Sequence, residues 1–147
     1  MAKKCIIRGD SMWPFLRNGD VITPIEVENL KIGDIVIFTT EDNMKVFHRV
    51  VLLDKNEIKC KGDNCLHFDW IKYNFGSTYR VIRHRFQYSA AKLSRYWGNH
   101  YNYRYNKNPS KYQSKNVYVK IITILQRFTL LCLYVIYRMC IRRDANE

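Results

Sequence analysis

The sequence predicts a mainly β fold: a coiled antiparallel sheet or partly open barrel over residues 1–86, trailed by a basic helical tail. Three observations carry that expectation. Short β-branched runs recur between polar turns, as in Ile35-Val36-Ile37-Phe38-Thr39-Thr40. Gly-Asp steps at 9–10, 19–20, 33–34 and 62–63 punctuate those runs. Charge divides along the chain: residues 1–70 hold 10 Lys/Arg and 11 Asp/Glu, whereas residues 71–143 hold 15 Lys/Arg and no acid. The near-neutral part reads as a folded catalytic or binding domain and the other as a basic appendage.

Taken in order, Cys5 to Arg8 is a short strand that leads into the turn-rich stretch Gly9–Asp20. Asp20 to Pro24 is β-prone, and Val27 to Ile32 is a connection closed by Gly33-Asp34. Ile35–Thr40 is the clearest strand; Glu41-Asp42-Asn43 turns it into a return strand over Met44–Leu53. On that strand Lys45, Phe47, Arg49 and Val51 share one side, and Met44, Val46, His48, Val50 and Leu52 the other. Glu57–Lys61 is a further strand stopped by Gly62-Asp63-Asn64, and Tyr79–Phe86 is the expected last one. Residues 87–116 read as a basic linker or surface segment, with Tyr at 88, 96, 101, 103, 105 and 112 interleaved with Lys and Arg. Residues 117–147 read as an apolar or amphipathic helix with a basic end.

A length of 147 residues, 47% of them apolar, suits one domain with a packed core. The formal charge of +12 asks for anionic company, whether nucleic acid, a lipid surface or an acidic protein. Five cysteines, at 5, 60, 65, 132 and 140, are too scattered and odd in number for a disulfide framework. Cys60, Cys65 and His67 suggest a zinc site only weakly, since a fourth ligand and a second metal pair are missing.

The chemistry concentrates around Ser11. Gly9-Asp10-Ser11-Met12-Trp13-Pro14-Phe15-Leu16 sets one hydroxyl between a flexible turn and an apolar run. A serine nucleophile needs a base. His48 lies on the apolar side of its strand, with an unperturbed pKa near 6.5 that lets it take a proton around neutral pH. Lys45 is the rival base, but its strand parity is opposite. Asp63, in the Gly-Asp turn, is the natural group to orient the imidazole, and Asp69 is a second candidate. Met12, Trp13 and Ile35 are candidates for the walls of a substrate pocket.

Here the chain resembles the signal peptidase I superfamily, which also holds the self-cleaving domain of SOS and phage repressors. Gly9-Asp-Ser-Met-Trp-Pro-Phe-Leu-x-x-Gly-Asp20 is similar to that family's serine box. Lys31-Ile-Gly-Asp-Ile-Val-Ile-Phe38 resembles the strand after it, His48-Arg49-Val50 stands where bacterial enzymes carry Lys-Arg-Val, and Lys61-Gly62-Asp63-Asn64 resembles the Lys-Gly-Asp-Asn box. Histidine in place of the lysine looks like the endoplasmic-reticulum and sporulation-type enzymes. The resemblance spans about residues 7–64 and implies a serine endopeptidase with Ser11 as nucleophile, His48 as base and Asp63 as third member, without cofactor or metal. The chain departs from the pattern at Phe15, where threonine is usual, at Cys65, where a second Asn is usual, and at Gly9, where the lysine-type enzymes carry a hydroxyl that assists the oxyanion hole. Backbone N–H groups, that of Ser11 included, would then hold the oxyanion.

The expected function is cleavage of a signal or leader peptide from a precursor, with the peptide bound extended against an open sheet edge. The alternative is a non-enzymatic nucleic-acid-binding or self-cleaving regulatory module, supported by the basic excess. No RNP box, zinc finger or helix-turn-helix marks specific nucleic-acid binding. With no anchor ahead of Ser11, membrane association is expected through Tyr118–Ile141, where residues 128–137 are uncharged, with residues 88–143 against anionic headgroups; a cytoplasmic location is the alternative.

Overall fold

The computed structural model describes residues 4–40, 43–72, 78–83, 87–107 and 117–144. It is a mixed α/β fold. The strands are β1 (Cys5–Ile6), β2 (Val21–Ile22), β3 (Ile25–Val27), β4 (Ile35–Thr39), β5 (Lys45–Leu53), β6 (Glu57–Lys61), β7 (Asp69–Lys72) and β8 (Tyr79–Ile82); the helices are α1 (Gln87–Lys107) and α2 (Val117–Asp144). β1 and β2 form a two-stranded ribbon, and the other six form an antiparallel sheet in the order β3-β8-β4-β5-β6-β7. The sheet is open, with β3 and β7 at its edges.

The hairpin of β4 and β5 pairs Val36 with His48 and Phe38 with Val46, and β5 continues into β6 with a register shift between Val50 and Leu52. That shift restores apolar parity along a strand that would otherwise turn Leu53 outward. One face of the sheet buries Val36, Val50, Ile58, Cys60 and Val81 with Leu30. The other buries Ile35 with Ile7, Met12 and Leu16, so the apolar half of the serine loop is core. Ile25–Val27, of which only Val27 fell in the expected connection, and Asp69–Lys72 are short edge strands whose register is set by β8 and β6 rather than by their own composition. The last strand, expected to run from Tyr79 to Phe86, stops at Ile82, and residues 84–86 lie outside the described residues.

The larger difference is α1, which occupies the stretch expected to be a linker. Over residues 87–100 its buried positions are Ala90, Ala91, Ser94 and Gly98. They recur at helical spacing, but they are small, so a stripe that depends on close approach rather than on bulk was hidden among tyrosines and lysines. A Cβ on Gly98 would lie 2.4 Å from Cζ of Phe68, so glycine is what lets α1 reach that loop. Gly33, at φ +101°, touches Gln87 at the start of the same helix, and Asp34 beside it is fully buried, bonded by Arg83 Nε at 2.7 Å and Gln87 Nε2 at 3.2 Å. The third Gly-Asp step thus joins the sheet to α1.

Candidate active site

Two loops meet at the site. The serine loop is shaped by its own turn bonds, with Trp13 N donating to Asp10 O at 3.1 Å and Leu16 N to Met12 O at 3.1 Å. The second loop follows β6, where Cys65 N donates to Gly62 O at 3.0 Å. Asn64 ties them together: its N–H donates to Ser11 O at 2.8 Å and its side-chain amide to Asp10 O at 3.0 Å.

The buried imidazole of His48, on β5, faces this junction. Its Nδ1 pairs with Asp69 Oδ2 at 2.5 Å, and its ring packs edge-on against Phe38 at 6.0 Å between centroids. Its Nε2 looks into the space over Gly62. A Cβ built there would meet Cys65 Sγ at 2.7 Å, Ser11 O at 2.8 Å and His48 Nε2 at 2.9 Å. Glycine keeps this space open, and the serine backbone, the imidazole and a thiol share it. Among the described residues no hydrogen bond joins Ser11 Oγ to the ring.

Burial alone would make the imidazole harder to protonate. The hydrogen bonds and negative charges of Asp69 and Cys65 outweigh that, and together lift its pKa to about 9. The ordinary value near 6.5 expected for a histidine base therefore does not hold, because an anionic partner sits on the ring.

Asp63 has a different role from the one the sequence suggested. It is fully buried and accepts from Arg49 Nε at 2.8 Å and Nη2 at 2.6 Å, while Arg49 Nη1 donates to Gly33 O at 2.9 Å. Neighbouring residues of a strand face opposite ways, so the imidazole and the guanidinium each take one acid. The third-member assignment to Asp63 is corrected on this geometry, and Asp69, the second candidate, is the carboxylate on His48. Arg49 had no assigned part; its signal was a charge at a strand position flanked by apolar residues, which needs an acid when buried. Its guanidinium also lies under the Phe15 ring at 5.0 Å.

Lys61 is fully buried beside these groups, its Nζ donating to Gly62 O at 3.2 Å and Ser94 Oγ at 3.3 Å; burial lowers its pKa to about 8. Lys45, the rival base, lines a separate groove with Cys5, Arg8, Phe47 and Arg80. Of the expected pocket walls, Met12 and Ile35 are core residues, 2% and 0% exposed. Trp13 does line a cleft, of about 290 Å³, with Asp10, Asn64 and Arg127. Among the described residues no group of three or more His, Cys, Asp or Glu could hold a metal ion.

Arg127 comes from α2, and that helix is the part of the site the sequence reading missed. Gln126, fully buried in it, donates its amide N–H to the carbonyl oxygens of Asp63 and of Cys65, the latter at 3.0 Å. Arg127 Nε donates to Asn64 Oδ1 at 2.7 Å. Further along, Tyr134 meets the Phe15 ring edge-on at 5.8 Å and lies under the Arg17 guanidinium at 5.3 Å. One helix therefore braces both loops. The polar pair Gln126-Arg127, just ahead of the uncharged run 128–137, was the available signal for that role.

The segment Val119–Cys140 is also long and apolar enough to cross a membrane, and only 22% of its window is buried. Val119, Ile122, Gln126 and Leu130 face the domain; Ile121, Ile124, Leu125, Phe128, Val135, Ile136 and Met139 form the opposite, exposed face.

No family model, curated protein or solved structure matches this chain.

Proposed function

We propose that the protein is a serine endopeptidase of the signal-peptidase type that removes a signal or leader peptide from a precursor. Ser11 is the nucleophile, His48 the base and Asp69 the carboxylate that orients the ring. The observation that carries this reading is the His48–Asp69 pair at 2.5 Å, with the free side of the ring turned to the space it shares with Ser11. In the reaction Ser11 Oγ attacks the scissile carbonyl and its proton passes to His48 Nε2. The ring then gives that proton to the leaving amine, and water repeats the sequence on the acyl-enzyme. Backbone N–H groups, that of Ser11 included, hold the oxyanion, since Gly9 brings no side chain. The peptide adds as a strand to the open edge at β7, which begins at Asp69. Trp13 walls the cleft beside it.

The enzyme works on a membrane surface, with α2 lying in the interface rather than crossing it. A spanning helix would expose its whole circumference to lipid, whereas Gln126, Arg127 and Tyr134 are engaged with the site loops. The opposite face, from Ile121 to Met139, is the apolar stripe an interfacial helix buries, and the basic excess over residues 71–143 suits anionic headgroups.

Incubation of the full chain with precursor peptides on anionic vesicles, read by mass spectrometry, tests the chemistry. Cleavage should be lost in Ser11→Ala and His48→Gln. Equal cleavage by Ser11→Ala would remove Ser11 as nucleophile, and salt-sensitive RNA or DNA binding without any cleavage would favour a non-enzymatic module.

A further inference from the structure

The space over Gly62 holds a second group that can act on a carbon or oxygen centre. Cys65 is fixed by its backbone on two sides: its N–H donates to Gly62 O at 3.0 Å, and its carbonyl accepts from Gln126 at 3.0 Å. Its neighbour Asn64 is tied to Ser11 at 2.8 Å. The thiol is thereby held over Gly62, where Sγ and His48 Nε2 both border the space that a Cβ on that glycine would fill, at 2.7 and 2.9 Å from it. It is half-buried, so small reagents can reach it. It is not an isolated thiol: the imidazole, with the Asp69 carboxylate on its other nitrogen, borders the same space.

We propose that Cys65 is a second nucleophile of this site, using the same imidazole as Ser11, and a point of covalent modification by alkylating agents and peroxides. At neutral pH the ring is charged, and a charged imidazole beside a thiol is the setting in which cysteine nucleophiles operate. With an alkyl iodide the thiol proton is released to solvent, the thiolate beside the imidazolium forms the S–C bond, the C–I bond breaks and iodide leaves. With hydrogen peroxide the S–O bond forms and the O–O bond breaks; sulfur is oxidised to the sulfenic acid and peroxide is reduced to water, which carries away the thiol proton.

The proposal holds whether or not Ser11 cleaves peptides, and the test keeps the two apart. The full chain is treated with iodoacetamide near neutral pH, and the rate at each cysteine is read by peptide mapping. Cys132, exposed on α2, supplies the reference rate, and Cys60, 0% exposed in the core, reports any unfolding. Cys65 should react at least about tenfold faster than Cys132 despite its lower exposure. His48→Gln should bring Cys65 down to the Cys132 rate, with Cys60 still protected, and Ser11→Ala should leave the Cys65 rate unchanged. A Cys65 rate no greater than that of Cys132, or one indifferent to His48→Gln in a chain whose Cys60 stays protected, overturns the proposal.

Discussion

Asp63 gives both carboxylate oxygens to Arg49, at 2.8 and 2.6 Å, and leaves the imidazole of the adjacent His48 to Asp69. Two neighbouring strand residues thus divide two acids between a structural pair and a chemical one. Arg49→Met strands a buried carboxylate and should cost about 3–5 kcal/mol in urea unfolding. Asp69→Asn, at a side chain 41% exposed, should cost less, and should change that curve little above about pH 9, where the ring is neutral. Comparable losses from both variants would erase the distinction.

Asp69→Asn should act on turnover instead. An amide in place of the carboxylate no longer stabilises the imidazolium or fixes the tautomer, so kcat should fall about 10³-fold or more with KM little changed. Steady-state kinetics on a leader-type peptide separates this from a binding defect, which would raise KM.

The imidazole must be neutral to accept the serine proton, and Asp69 and Cys65 hold its pKa at about 9. Cleavage should therefore rise with pH and reach half its maximum near that value, on the alkaline side of an ordinary histidine. Stability runs the other way. The folded ring binds its proton more tightly than the unfolded one, so its contribution is complete below about pH 6.5 and is lost as pH rises through about 9. A kcat/KM limb near 6.5 would show that the ring does not carry this burden during the reaction.

Gly62→Ala places a methyl group 2.8 Å from the Ser11 carbonyl and 2.9 Å from His48 Nε2. Backbone at that distance cannot yield as a flexible side chain would, so cleavage should collapse even where circular dichroism still reports the folded sheet. Retained activity would mean that the two loops sit further apart than described. Alkylating Cys65 fills the same space and should also stop cleavage, whereas Cys65→Ser should keep cleaving after iodoacetamide.

The two faces of α2 should separate by mutation. Ile124→Asp with Phe128→Asp, both on exposed positions, should release the chain from anionic vesicles while leaving cleavage of a soluble peptide in place. Gln126→Leu should do the reverse, since it frees the carbonyls of Asp63 and Cys65 without touching the outer face. Vesicle flotation and a soluble-peptide assay read the two effects independently.

Much of the sheet was legible because it follows local rules. Glu57–Lys61 and the hairpin of Ile35–Thr39 with Lys45–Leu53 lie where β-branched runs and polar turns put them. His48 was legible as a buried-face residue of its strand for the same reason, whereas the approach of the Ser11 carbonyl to the same space depends on how two distant loops meet. The division of acids was not: parity puts His48 and Arg49 on opposite sides, but it does not say how the chain after Gly62 curls, and that curl decides which acid reaches which side. Nor was α1, whose buried residues Ala90, Ala91 and Ser94 have too little bulk to mark a face. The bracing role of Gln126 was not legible either, because its partners are the backbone carbonyls of Asp63 and Cys65, which no sequence pattern displays.

The brace has a consequence for the order in which the molecule is made. The loops at Ser11 and Gly62 leave the ribosome ahead of α2, which holds the carbonyls of Asp63 and Cys65 and the Phe15 ring. The sheet can pair while the rest is still being synthesised. Asp63, Cys65 and Phe15 nevertheless wait for Gln126 and Tyr134, so a helix translated after these loops sets their final shape.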